Sequence, residues 1–230
     1  MTYRLGVAEP IAALNRVHLI ECGEPLVDLQ LELPDLKVLR PSAIPWARAG
    51  VADRLSAARK AIAPYDIGLR EAWRSLDRQK FIYDHYFNSL NQQFSFATRR
   101  RLANRFFAPY DQKAPPGHST GAAIDVWLLD ENGEPISLDG PGRRFKSAPT
   151  FSAKLPASIS EKRLILHDAM VSVGFTNCRD EWWHFSYGDA GWAVRCASPV
   201  CIYGSIHPAA EEYEEKDRTF FEEFLRNPPF

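Results

Sequence analysis

The stretch "CRDEWWHFSY", residues 178–187, sets the tightest condition on any fold this chain can adopt. It places Glu181 three residues before His184, with Trp182 and Trp183 between them. A charge inside such an aromatic run is tolerated only when it is paired, hydrogen-bonded or bound to a metal. One answer is that half of a metal site lies here, and the fold must then bring up the other half.

The chain has 230 residues, 45% of them hydrophobic, which suffices for one sizeable core or a core with a small appendage. Its 28 Lys plus Arg face 29 Asp plus Glu, a formal charge of -1 at pH 7. That balance lacks the basic excess of a nucleic-acid binder, so no nucleic-acid partner is expected. The one basic cluster, "RRRLANR" at 99–105, reads as a solvated helix face. No apolar run follows a basic start at the N-terminus, where Glu9, Arg16 and Glu21 interrupt, and no window approaches the length of a bilayer span. A cytoplasmic protein with no membrane partner is the expectation. Cys22, Cys178, Cys196 and Cys201 match neither a CxxC pair nor a compact disulfide framework, and read as reduced, mostly buried thiols.

Prolines at 10, 25, 34, 41 and 45 make residues 1–50 an arm packed on the body, with a short strand near "LKVL" at 36–39. Val51, Leu55, Ala58 and Ile62 recur at helical spacing, and Pro64 ends that helix. "IGLREAW", 67–73, reads as a strand. Ser75 is the N-cap of a second helix with Tyr83, Tyr86, Phe87, Leu90 and Phe94 as its apolar stripe. A loop of turn formers, 108–121, then enters "AAIDVWLLD", a strong strand that ends at the turn "DENG". Residues 137–160 read as an irregular surface excursion. "SEKRLILHDAMVSVGF" supplies a third long helix, and Tyr213, Asp217, Phe220, Phe221 and Phe224 share one side of an acidic tail helix. The pattern predicts one α+β domain: a central antiparallel or mixed sheet, helices packed on one side, and the active site at the sheet edge. Within it, 51–205 form the core and 206–230 a docked C-terminal helix.

The partner of "EWWH" is "GHSTGAAID", residues 117–125. A straight strand would hold His118 and Asp125 far apart, but Gly121 permits a bend that brings imidazole and carboxylate together. Adding His184 gives two imidazoles and one carboxylate, a ligand set suited to one Zn²⁺ with a position left for water or substrate. Zinc acidifies water and polarises a carbonyl oxygen, which casts Glu181 as a general base. Spacing alone does not decide which carboxylate ligates. Taken singly, His184 also fits a satisfied core histidine and Asp125 a residue that pins a loop.

"HSTGAAID" followed by "EWWHF" resembles the metallopeptidase family of D-alanyl-D-alanine dipeptidases and D,D-carboxypeptidases of bacterial peptidoglycan metabolism, whose pattern is SxHxxGxAxD and then ExxH. The likeness covers roughly residues 50–205. It implies His118, Asp125 and His184 as zinc ligands and Glu181 as the catalytic base. The family arginine of a "YRP" or "YRS" context falls on Arg74 in "EAWRSLDRQ", with Trp73 in place of tyrosine. There it steadies the carbonyl or its developing oxyanion, a role suited to a fixed charge with several rigid donors.

Two departures bear on the substrate. Pro116 stands where the first motif begins with serine, and "LDGPGRRFK", 138–146, lacks the acidic residue of the "MGTPFD"-like segment in dipeptidase members. Asp139 is the nearby carboxylate for a dipeptide's ammonium, though a turn-forming surface aspartate is the commoner role. Of Trp182 and Trp183, one is expected in the core and one near the ligand. The leading expectation is zinc-dependent hydrolysis of a short peptide, D-Ala-D-Ala foremost. A D,D-carboxypeptidase acting on peptidoglycan peptides and a non-catalytic metal-containing peptide-binding protein are the alternatives.

Overall fold

The proline-rich start yields short elements only. In the computed structural model, which describes residues 3–141 and 147–228, they are α1 (Ile11–Leu14), β1 (His18–Leu19), β2 (Leu26–Asp28), α2 (Leu29–Glu32) and β3 (Trp46–Arg48). β2 and β3 pair antiparallel. The strand expected at 36–39 shrinks to one parallel bridge between Val38 and Leu69. Pro34 and Pro41 flank it and lack the donors that a longer ladder needs.

α3 (Ala49–Ala61) buries Val51, Leu55 and Ala58 and stops short of Pro64, as a ring that blocks helix continuation requires. β4 (Asp66–Glu71) follows. The Ser75 hydroxyl accepts from the Arg78 N–H at 3.0 Å and so caps α4 (Leu76–Ser89). The expected stripe holds at Tyr83 and Tyr86 but fails at Phe94, which is 45% exposed. α4 ends at Ser89, and a separate α5 (Phe96–Ala103) starts behind its own cap, Ser95.

β5 (Ala123–Leu129) is buried at all seven positions. α6 (Ala157–Ser172), β6 (Thr176–Asn177), β7 (His184–Ser186), α7 (Ala190–Arg195), β8 (Val200–Cys201) and α8 (Glu214–Arg226) complete the order. A parallel pairing of β1 with β8 ties the N-terminal arm to the far end of the chain. All four cysteines are free.

The architecture is α+β. Four antiparallel strands run in the order β4-β5-β7-β6. Ile67, Leu69, Ile124, Val126 and Leu128 share a core with Val51 and Leu55 of α3 and Leu166 and Met170 of α6. α8 docks elsewhere, packing Phe220 and Phe224 on Ile82 of α4. Arg163 of α6 donates to the carbonyls of Leu138 and Ser147, which anchors both flanks of residues 142–146. Those five lie outside the described residues, and every basic residue of the 138–146 loop lies with them.

The sheet carries one irregularity, between β4 and β5. Leu69 pairs with Val126, whereas Glu71 pairs with Asp125. β4 therefore carries one residue more than β5 across this step, a bulge of the kind that re-aims side chains beside active sites. Asp125 in turn pairs with His184. Glu71, Asp125 and His184 thus form one row across three strands, at the last residue of β4 and the first of β7. The row stands at strand ends, and two of its members belong to the inner strands.

Candidate active site

His118 reaches the row from outside the sheet. Residues Gly117–Thr120 make one 3-10 turn, closed by the Gly121 N–H on the His118 carbonyl at 3.2 Å. Gly121 adopts φ 71°, a left-handed conformation that favours glycine. A side chain there would also collide with Leu26, whose Cδ2 is 2.4 Å from the ideal Cβ position. The bend turns the chain back, so the His118 imidazole meets Asp125 four residues after Gly121.

His118 Nδ1 donates to the Ala72 carbonyl at 2.8 Å, which fixes the ring and turns Nε2 toward Asp125. That Nε2 lies 3.4 Å from Asp125 Oδ1, and His184 Nδ1 lies 3.0 Å from the same oxygen. The two imidazole centroids are 4.9 Å apart, edge to face. One ligand atom from each residue falls within 4.8 Å of the others, the only such group of metal-capable side chains among the described residues. Burial alone would raise the Asp125 pKa, but the adjoining His118 and His184 outweigh it and hold the carboxylate well below its ordinary range. A carboxylate kept ionised between two imidazoles fits a divalent cation by charge and donor type.

Glu181 and His184 sit at the two ends of one turn, with the His184 N–H donating to the Glu181 carbonyl at 3.3 Å. Trp182 points into the core, stacked edge to face on Trp127 at 4.3 Å and under the Arg163 guanidinium. Trp183 faces the cavity. The sequence leaves open which indole does which, and the turn decides it.

Arg74 follows β4 and is 8% exposed. Its Nε and Nη2 bind the two Glu71 oxygens at 3.0 and 2.8 Å, and its Nη1 binds Gln79 Oε1 at 2.7 Å. Three of its five N–H groups are thereby engaged and two are left over. Gln79 is itself oriented by donating to the Ala108 carbonyl. A cavity of about 1120 Å³ is lined by Arg74, His118, Asp125, Glu181, Trp183 and His184 together. Glu71 and Gln79, which hold Arg74, escaped the sequence reading. The signal was there for Glu71: a carboxylate closing an apolar strand faces the same pairing demand as Glu181.

The basic cluster borders the cavity. Arg100 and Arg101 of the basic cluster line its mouth, and Arg105 binds Asp180, the neighbour of Glu181, at 2.7 Å. The cluster nevertheless faces solvent as its sequence predicts, with Arg101 and Arg105 exposed. Asp139 is exposed and stands apart from the cavity wall.

Comparison with known proteins decides the family. Residues 79–201 match the peptidase family described as D-ala-D-ala dipeptidase. A D-alanyl-D-alanine dipeptidase of Synechocystis sp. is 30% identical over 241 residues, spanning 86% of this chain and 93% of that protein. The chain belongs to the D-Ala-D-Ala dipeptidase family. The matched range of the family includes His118, Asp125, Glu181 and His184 and starts five residues after Arg74. The Escherichia coli D-alanyl-D-alanine dipeptidase is 32% identical over 74 residues, covering 32% of this chain and 38% of its own. Among solved structures, a vancomycin-resistance D,D-dipeptidase in complex with a D-Ala-D-Ala phosphinate analogue aligns over 89% of this chain and 72% of its own, with 20% identity and a TM-score of 0.40. Family membership makes the protein a peptidase of the D-Ala-D-Ala dipeptidase type. No helix among its described residues is long and apolar enough to cross a membrane.

Proposed function

We propose that the protein is a zinc-dependent dipeptidase that hydrolyses D-alanyl-D-alanine in the cytoplasm, with Glu181 as general base. The observation that carries the reading is the meeting of His118, Asp125 and His184 within 4.8 Å in the cavity that also holds Glu181 and Arg74. His118, Asp125 and His184 would hold the ion. Bound there, zinc would supply Lewis acidity, lowering the pKa of a water and polarising a carbonyl.

The remaining work belongs to the chain. Glu181 takes the proton of the attacking water and delivers it to the leaving amine. Arg74, held rigid by Glu71 and Gln79, turns its two remaining N–H groups to the carbonyl oxygen as negative charge develops. Trp183 walls the cavity and keeps bulk water from weakening these electrostatic contacts. Asp125 stays ionised throughout, as a ligand must.

A second reading is favoured by the size of the cavity. At about 1120 Å³ it exceeds the range of pockets that enclose drug-sized ligands, and a dipeptide leaves most of it unfilled. That room suits a D,D-carboxypeptidase with a longer stem peptide lying along the α5 wall. One assay separates the two: alanine release from D-Ala-D-Ala, L-Ala-L-Ala and a pentapeptide ending in D-Ala-D-Ala, with and without added zinc. Zinc-dependent turnover of the free D,D form alone supports the dipeptidase. Equal turnover of the pentapeptide supports the second reading, and no turnover by zinc-loaded protein removes both. Cell fractionation with the same assay checks the compartment.

A further inference from the structure

We propose that Asn177 is a positioning residue that locks Glu181 and His184 into one rigid turn. The inference rests on the metallopeptidase reading above and adds to it a residue that both motifs pass over. Asn177 ends β6 and is 3% exposed. Its Nδ2 lies 3.0 Å from the Glu181 carbonyl, 3.0 Å from that of His184 and 3.4 Å from that of Trp182. Three carbonyls of the four-residue "EWWH" segment therefore converge on a single side-chain amide.

The chemistry of the site leaves this amide no freedom. Carbonyls only accept, so the NH₂ side must face the turn. The acceptor side is occupied by Thr150, 2% exposed, whose hydroxyl donates to Asn177 Oδ1 at 2.6 Å. β7 starts only at His184, so Glu181 and Trp182 lie outside the strand ladder. The buried Trp182 carbonyl still requires a donor, which Asn177 supplies, and at Glu181 the amide adds to the His184 N–H. The Cys178 N–H reinforces the clamp from the backbone, donating to the His184 carbonyl at 2.9 Å. Serine or an aliphatic residue at 177 reaches one of these carbonyls or none. The separation between the base and one metal-binding imidazole is thus set by a side chain on the next strand, acting through main-chain groups. Partners that orient ligands indirectly change metal affinity or activity by about 10–100-fold.

The test uses Asn177→Ala and Thr150→Val in the full chain. Four quantities are read: thermal melting, zinc affinity by chelator competition, the visible absorption of the Co(II)-substituted protein, and kcat and KM on D-Ala-D-Ala. Asn177→Ala melts cooperatively, binds zinc about 10–100-fold more weakly, shows an altered Co(II) spectrum and loses kcat more than KM. Thr150→Val moves each readout the same way by a smaller factor. A folded Asn177→Ala with wild-type zinc affinity and Co(II) spectrum overturns the proposal. Where Asn177→Ala does not fold, wild-type values in Thr150→Val overturn it. Wild-type protein that takes up neither zinc nor Co(II) overturns the metal reading itself, and the clamp falls with it.

Discussion

Glu71 grips the Arg74 guanidinium with both carboxylate oxygens, at 3.0 and 2.8 Å, in a site where neither side chain is more than 9% exposed. A bidentate pair of this kind fixes the plane of the guanidinium as well as its charge. Arg74→Lys keeps the charge and loses the fork. We expect kcat on D-Ala-D-Ala to fall by about 10²–10³-fold, the scale of a lost oxyanion donor, with a smaller change in KM. Steady-state alanine release measures both, and an unchanged kcat removes Arg74 from the chemistry.

The same pair predicts a pH dependence of stability. Burial alone would raise the Glu71 pKa, but Arg74, then His118 and Arg78, bring it from 4.5 to about 2. A depressed carboxylate contributes its stabilisation in full above about pH 4.5 and loses it as the pH falls toward 2. The contribution is about 3 kcal/mol at neutral pH. Denaturant melts between pH 2 and 7 should show this loss. Glu71→Gln should flatten the profile over that window while lowering stability near neutrality by about 3–5 kcal/mol, since it leaves buried arginine charge uncompensated.

Glu181→Gln should retain metal and lose most hydrolysis, because an amide occupies the same space but takes no proton. General acid–base catalysis is worth about 10²–10⁴-fold. Elemental analysis beside the alanine assay checks both halves. Full activity in this variant would assign the base elsewhere.

His118→Ala, Asp125→Asn and His184→Ala should behave in the opposite way and lose bound zinc. Chelator treatment of the wild-type protein should abolish activity, and zinc should restore it. Stoichiometry near one ion per chain in the wild type, and a clear reduction in each variant, is the expected elemental result.

Asp217→Ala tests how the C-terminal helix is held. Arg78 is 0% exposed and donates from Nε to Asp217 Oδ1 at 2.7 Å. Removing one partner of a buried ion pair costs about 3–5 kcal/mol, so the melting temperature should drop by many degrees. A shift near zero would mean that Phe220 and Phe224 dock α8 unaided.

Much of this molecule was legible in its sequence, for reasons that differ by element. α3, α4 and β5 carried strong periodic or apolar signals with clear stops at Pro64 and the "DENG" turn. His118, Asp125 and His184 were linked by motif spacing, and Gly121 marked the bend. Illegible were the features that depend on register. Pattern reading gives no sign that β4 holds an extra residue, so nothing set Glu71 beside Asp125. The pairing of Asn177 with the following turn, and of Gln79 with Arg74, likewise exists only once strands and helices are in place. The α4 stripe outruns its helix, because Phe94 keeps the spacing after α4 has stopped at Ser89.

The bulge in β4 has a consequence for anyone who would transplant this constellation. In a regular ladder the residue facing Asp125 would be Arg70, a cation set against the very carboxylate proposed to bind one. A grafting scheme that copies side chains onto an ideal antiparallel scaffold would therefore assemble the wrong charge at the decisive place. The irregular hydrogen-bonding step must travel with the residues, as must the odd count of amino acids between Leu69 and the end of the strand.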